Sequence, residues 1–383
     1  MIYLDYSATT PVDERVLDAM VPYFSASFGN PSSVHRYGQV AEAAVESARE
    51  IVASVLNCRP EEIIFTSCGS ESDNLAVRGA AYAMRERNGA KWILASRAEH
   101  PAVTNTLKHL EKYEEFLVEW LDVNEQGKVT ADIVSKAICN DTAVVSVMYA
   151  NNEIGTINPI REIAEICRAN RILFHTDAVQ AAAYLPVDVQ ALGVDMMSLG
   201  AHKFYGPKGV GALYVRKGTP LISHLTGGGQ EFNLRAGTQN VPYIVGFAEA
   251  LQLTNEERER RVDHVRPLRD RIIGTILETI PDSRLTGDME SRLPHHASFV
   301  FKDVDGNFLL TLLDATGFAC SSGSACKTGN PEPSEVMNAI GLSREWGLGS
   351  LRVTLGKDTL PEHVESFLDT LPKLVEKARM LNH

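Results

Sequence analysis

Lys203 stands where an apolar, strand-like run, Ser198-Leu199-Gly200, gives way to the turn residues Gly206-Pro207, ahead of a second short strand at 211–215. An amine in that position is either a solvated loop charge or a nucleophile held in a pocket for covalent chemistry. Asp177 ends another strand-like run, "ILFHTDA" (172–178). Ligands of open α/β sheets bind in the crevice outside the carboxyl ends of the strands, so Asp177 either faces that crevice or caps the next turn. A third stretch, "EIIFTSCGSESDNLA" (62–76), reads as a strand, a turn at Gly69 and a helix start. Ser70-x-x-Asp73 fits a capping box and predicts the helix N-terminus at Ser70. Free amides, the helix dipole and a hydroxyl would make an anion site there, although a plain capped helix has the same pattern. A lysine, an acid and an anion site on one sheet edge are the parts that a pyridoxal phosphate enzyme needs. The lysine bonds the cofactor, and the acid pairs with the pyridinium nitrogen so that the ring becomes an electron sink.

The elements that must position these residues alternate along the chain. Helix-like patterns at 41–56, 71–87, 101–113, 130–138 and 159–170 are interleaved with strand-like runs at 62–67, 92–96, 115–123, 142–150 and 172–178, then near 195–199 and 211–215. Such alternation predicts an α/β layer fold with a mainly parallel central sheet. Residues 239–281 read as long helices with a charged hinge, and the last hundred residues mix short strands and helices as a smaller α+β domain would. At roughly 150 residues per domain, the 383 residues suit two domains.

Composition narrows the function. With 37 basic and 49 acidic residues the net charge is −12, and no basic run exists to hold nucleic acid or a membrane surface. The N-terminus has no targeting pattern and no apolar run approaches the length of a membrane span. Six scattered cysteines, without a CxxC pair or zinc-type spacing, predict free thiols, no metal site and a cytoplasmic enzyme. Two of them lie in "GFACSSGSACKTGNPEPSEV" (317–336). Cys320, beside Phe318 and Ala319, reads as a small hydrophobe. Cys326 lies among Ser, Gly and Lys327 on what reads as a mobile loop, where exposure and a cation favour thiolate. Taken alone, it is also a plain surface thiol.

In order along the chain, "YLDYSATTPVD" (3–13), "GNPSSVH" (29–35), "FTSCGSESDNLA" (65–76), "EHPAV" (99–103), "NNEIGT" (151–156), "HTDAVQ" (175–180), "HKFYGPKGVGALY" (202–214), "GGGQE" (227–231), "CSSGSAC" (320–326) and "LRVTLG" (351–356) resemble the cysteine desulfurases. These form the NifS/IscS-like branch of the class V aminotransferases, and the resemblance runs nearly end to end. It implies the aspartate-aminotransferase-like fold of PLP-dependent transferases, with a large cofactor domain at 15–259 and a small domain made of 1–14 and 260–383. Matched position by position, it implies Lys203 as the lysine that bonds pyridoxal phosphate, Asp177 on the ring nitrogen and Gln180 on the ring hydroxyl. His100 would stack on the ring and carry a proton at the substrate sulfur. Gly69, Ser70, His202 and, from a neighbouring subunit, Thr238 would hold the phosphate. Asn152 and Arg352 would bind the substrate carboxylate, the latter as a bidentate fork.

Cys326 would take sulfur from L-cysteine as a persulfide, leave alanine, and pass the sulfur to an acceptor such as an iron–sulfur scaffold or a tRNA-thiolation pathway. Transient ligation of a cluster by Cys326 with such a scaffold is also implied, as is a homodimer. The spacing from Cys326 to Glu332-Pro333-Ser334 matches the branch with a long catalytic loop. Three positions depart from the family pattern: Gly200 where serine is usual, Phe232-Asn233 where Arg-Gly is common, and Ala236 where serine is common. Another class V enzyme, an aminotransferase or a selenocysteine lyase, would share the cofactor residues.

Overall fold

Seven strands form the central sheet, in the spatial order Ile63–Thr66, Gly211–Val215, Met196–Gly200, Leu173–Asp177, Thr142–Ser146, Trp92–Ser96 and Leu117–Leu121. Only Gly211–Val215 runs antiparallel to its neighbours. The computed structural model describes residues 1–322 and 332–381, so Cys326 lies outside the described residues.

Side chains of a strand alternate between faces, and here the two faces feed two separate cores. Phe65, Val145, Met197 and Tyr214 pack on one side with the helices Arg36–Leu56 and Val241–Glu256. Their chain neighbours Ile64, Val144, Met196 and Leu213 pack on the other, with Gly69–Asn88 and Pro101–Glu114. Burial on both faces explains why these strands read as unbroken apolar runs rather than as alternating ones. The strand read at 142–150 ends at Ser146. Just beyond it, the Met148 N–H is taken by the Glu99 carboxylate (2.8 Å) instead of a neighbouring strand.

A second sheet, antiparallel, joins Ser283–Leu285, His296–Phe301 and Ser350–Thr354. The N-terminal Ile2–Tyr3 pairs with Phe318–Ala319, which brings the first residues of the chain to this part. The long helical region is two helices, Val241–Glu256 and Arg258–Thr279, parted at Glu257. Glu231, Phe232 and Asn233 all have positive φ, a conformation costly for residues other than glycine. They are held by Arg49, buried in Arg36–Leu56, whose guanidinium clasps the Glu231 carboxylate at 2.8 and 3.0 Å. The Phe65 N–H donates to the same carboxylate at 2.9 Å.

Candidate active site

The carboxyl edge of the central sheet opens on a cavity of about 390 Å³, within the range of small-molecule sites. Gly69, Ser70, His100, Asn152, Asp177, Gln180, His202, Lys203 and Arg352 all line it. Thr238 does not, and it is exposed.

Lys203 ends a single 3-10 turn, Ala201–Lys203, directly after the strand Met196–Gly200. Its Nζ donates to the carbonyl oxygens of Ser7 (2.6 Å) and Ala8 (2.8 Å). Burial, reinforced by Arg352 and opposed by Asp177, lowers its pKa to about 8. A lysine so placed reaches its nucleophilic, neutral form near physiological pH. Gln180 Nε2 also donates to the Ser7 carbonyl, at 2.8 Å. The segment around Ser7 and Ala8 thus closes the site with backbone atoms, a role that no side-chain pattern announces.

Asp177 is buried at the end of its strand, and one oxygen accepts the Val179 N–H at 2.8 Å. Burial pushes its pKa up, while His100 and Lys203 oppose that. Two further carboxyls lie buried nearby. Asp73 Oδ1 and Glu99 Oε2 have no hydrogen-bond partner among the described residues. Burial, with the charge of Asp177 added, raises both well above the usual carboxylate range. Burial acts on all three carboxyls, and only at Asp177 do His100 and Lys203 oppose it, so Asp177 is the one suited to a cation.

The helix at the anion end begins two residues earlier than the capping box predicts. Its N-cap is Cys68 and its first residue Gly69. Glu71 Oε2 takes the Ser67 N–H (2.6 Å), whereas Asp73 turns inward, 3.6 Å from His175. Ser70 is thus in the first turn, where amides lack intrahelical partners. A Cβ at Gly69 would lie 2.7 Å from Val179 Cγ2, so the close approach needs glycine. At Gly200 a Cβ would meet only ordinary contacts, 3.5 Å from the Gly69 nitrogen, so the serine usual there would fit.

His100 caps the helix Pro101–Glu114, its Nδ1 accepting the Ala102 N–H at 3.1 Å. A doubly protonated ring would set two N–H groups against each other, and burial also lowers its pKa. The neutral ring then carries its proton on Nε2. His202 is likewise driven neutral, to about 4, by burial and by Lys203. Arg352, buried on Ser350–Thr354, donates through Nη2 to Asp5 (2.8 Å) and through Nη1 to the Asn152 carbonyl (2.9 Å).

An amine, a carboxylate matched to a cation, a helix N-terminus with a hydroxyl, and a guanidinium share one cavity. That donor set fits pyridoxal phosphate together with an amino-acid carboxylate.

Comparison with known proteins agrees with this chemistry. Residues 2–367 match the family Aminotransferase class-V. A protein of Dictyoglomus turgidum named cysteine desulfurase IscS is 44% identical over 381 residues, covering 100% of this chain and 96% of the relative. One of the same name from Methanosarcina thermophila is 45% identical over 381 residues, covering 100% and 93%. A solved structure titled NifS-like protein superposes with a TM-score of 0.91 at 36% identity, covering 98% of this chain and 99% of that one.

Proposed function

The chain belongs to the class V aminotransferases and is a pyridoxal-phosphate-dependent cysteine desulfurase, and from that membership we propose how its own residues divide the work. The observation that carries the assignment is the meeting of Lys203, Asp177, the start of helix Gly69–Asn88 and Arg352 in one cavity. We assign the cofactor phosphate to Gly69, Ser70 and His202, its ring nitrogen to Asp177, its ring hydroxyl to Gln180, and its covalent attachment to Lys203. When bound, the cofactor supplies an electron sink next to the substrate α-carbon.

Arg352, oriented by Asp5 and the Asn152 carbonyl, holds the cysteine carboxylate, with Asn152 beside it. Once released from the cofactor, Lys203 is the base for the α-proton, its pKa near 8 allowing it to accept and return that proton. His100 directs Nε2–H toward the substrate sulfur. The Cys326 thiolate forms an S–S bond to that sulfur as the C–S bond breaks. The bonding pair stays with the three-carbon fragment, which is protonated and leaves as alanine. In this reading 15–259 is the cofactor domain, and 1–14 with 260–383 forms the second domain. The pairing of Ile2–Tyr3 with Phe318–Ala319 supports that division. The test is cysteine-dependent alanine release by the purified protein, with one sulfur transferred per alanine. Alanine without sulfur transfer would point to a different class V reaction.

We further propose a homodimer. Phe24, Phe28, Val34, Tyr37 and Val40 are all exposed on one short stretch of chain, and Val34 is 91% exposed. So much apolar surface in one region marks an interaction face. Thr238, exposed and not among the residues lining its own cavity, is placed in this reading on the phosphate site of a second copy. Light scattering coupled to size exclusion should give twice the chain mass, and fully active monomers on dilution would overturn this. The acceptor is a protein that takes sulfur from Cys326, such as an iron–sulfur scaffold. Among the described residues five cysteines are free, which suits a reducing, cytoplasmic setting, and no helix is long and apolar enough to cross a membrane.

A further inference from the structure

Two residues inside the sequence motifs have no part in the chemistry above: Glu153, within "NNEIGT", and Ser334, the last residue of Glu332-Pro333-Ser334. The fold sets them against each other. Ser334 Oγ donates to Glu153 Oε2 at 2.6 Å and accepts the Met337 N–H at 3.1 Å, capping the helix Glu335–Ala339. On the other side of residues 323–331, Ser321 pairs with the backbone of Arg352. The Arg352 N–H donates to the Ser321 carbonyl at 2.7 Å, and the Ser321 N–H returns a bond at 3.3 Å. Arg352 in turn donates to the Asn152 carbonyl. Both roots of the segment that carries Cys326 therefore lead to one turn, Ser321 through Arg352 and Ser334 through Glu153.

That turn is built to hold still. Buried Asn151 accepts the N–H groups of Glu153 (2.8 Å) and Ile154 (2.9 Å) on Oδ1, and its Nδ2 donates to the Ala98 carbonyl at 2.8 Å. Fixing the ends of a segment restricts the volume its middle can explore. Restricting that volume raises the effective concentration of a nucleophile at its target. We propose that Glu153 is a positioning residue for sulfur transfer: through Ser334 it holds one root of the cysteine-bearing segment in register with Arg352. This rests on the assignment of Arg352 and Cys326 made above.

The tether has an expected pH signature. Burial raises the Glu153 pKa to about 7, with Glu335 adding to the rise and the Ser334 hydrogen bond and Arg352 opposing it. Glu335 is itself paired with Lys108 at 2.6 Å. Above that pH Glu153 is a carboxylate, and a hydroxyl donating to a charged acceptor makes the stronger bond. Turnover should gain as pH rises through about 7 and lose as it falls.

The holoenzyme carrying Glu153→Ala should show kcat for alanine release lowered about tenfold or more, because small misplacements of reacting groups cost that much. Cofactor content, and the cysteine concentration giving half of the absorbance change, should stay within about twofold of wild type. Glu153→Gln keeps an acceptor for Ser334 and should recover most of kcat while losing the ionisation near pH 7. Ser334→Ala should mimic Glu153→Ala and Ser334→Thr should rescue it. The Glu153→Ala/Ser334→Ala double variant should be no slower than the slower single one. Wild-type kcat in Glu153→Ala, or additive losses in the double variant, would overturn the proposal. If Glu153→Ala does not fold, the Ser334 pair decides alone: equal kcat in Ala and Thr variants would overturn it too. A wild-type protein that makes no alanine from cysteine would instead refute the functional assignment itself.

Discussion

Replacing Lys203 by alanine is expected to stop cysteine turnover, by a factor of about 10³ or more, and to remove the near-visible absorbance of a lysine-linked cofactor. Lys203 has two duties that no neighbour can assume. Among the described residues its amine is the only one lining the cavity, and it is delivered there by the strand Met196–Gly200 and one tight turn. The variant should still bind cofactor without a covalent link, because the helix start at Gly69 and the Asp177 carboxylate remain. The pH dependence of reattachment in the wild type follows from the environment of the amine. With its pKa lowered to about 8, the amine is protonated and inert below that value. Attachment to apoprotein should therefore speed up as pH rises through about 8, about two pH units earlier than an unperturbed lysine near 10.4 would allow. Absorbance and borohydride-trapped mass on the peptide containing Lys203 measure both effects. A wild-type absorbance in Lys203→Ala would sink the assignment.

How much of this site can be read from sequence depends on whether a residue's partners are local. Lys203, Asp177 and the Gly69 turn each follow a buried strand, and a mostly parallel sheet gathers the ends of its strands on one edge. Local pattern therefore suffices to group them. The helix start is different. Ser70-x-x-Asp73 satisfies the pattern of a capping box, yet Glu71 makes the backbone bond, and Arg235 pairs with Glu71 at 2.9 Å. Asp73 is instead drawn into the core beside His175. A distant arginine and a buried histidine decide between the two carboxylates, and neither is visible in a window of four residues. The backbone carbonyls of Ser7 and Ala8 carry no side-chain signal at all. The Glu153–Ser334 bond joins residues 181 positions apart, each inside a motif whose purpose appears only when the other is beside it. The family resemblance supplies what local pattern lacks, since many short motifs in one order constrain the fold as a whole.

Cys326→Ser is expected to separate binding from sulfur transfer. The cofactor contacts proposed above come from Lys203, Asp177, Gln180, Gly69, Ser70 and His202, so the variant should keep full cofactor content and still change absorbance when cysteine is added. Sulfur transfer should then fail, because a serine hydroxyl is un-ionised at neutral pH and a far weaker nucleophile than a thiolate. Alanine and persulfide should fall together by about 10² or more, since the C–S bond breaks only when a nucleophile takes the sulfur. Cys320 is the internal control. It packs against the core, and burial, with Asp5 adding, pushes its thiol far above the range in which a thiolate forms. Cys320→Ser should therefore keep turnover and lose only some stability. An aminotransferase of the same family would respond the other way, with cofactor chemistry indifferent to Cys326 and no sulfur gained by the protein. The discriminating measurement pairs alanine release with intact-mass analysis for one added sulfur on the peptide that contains Cys326. If Cys326→Ser releases alanine at the wild-type rate, sulfur leaves by a route that does not pass through this thiol, and the attack proposed for it is wrong.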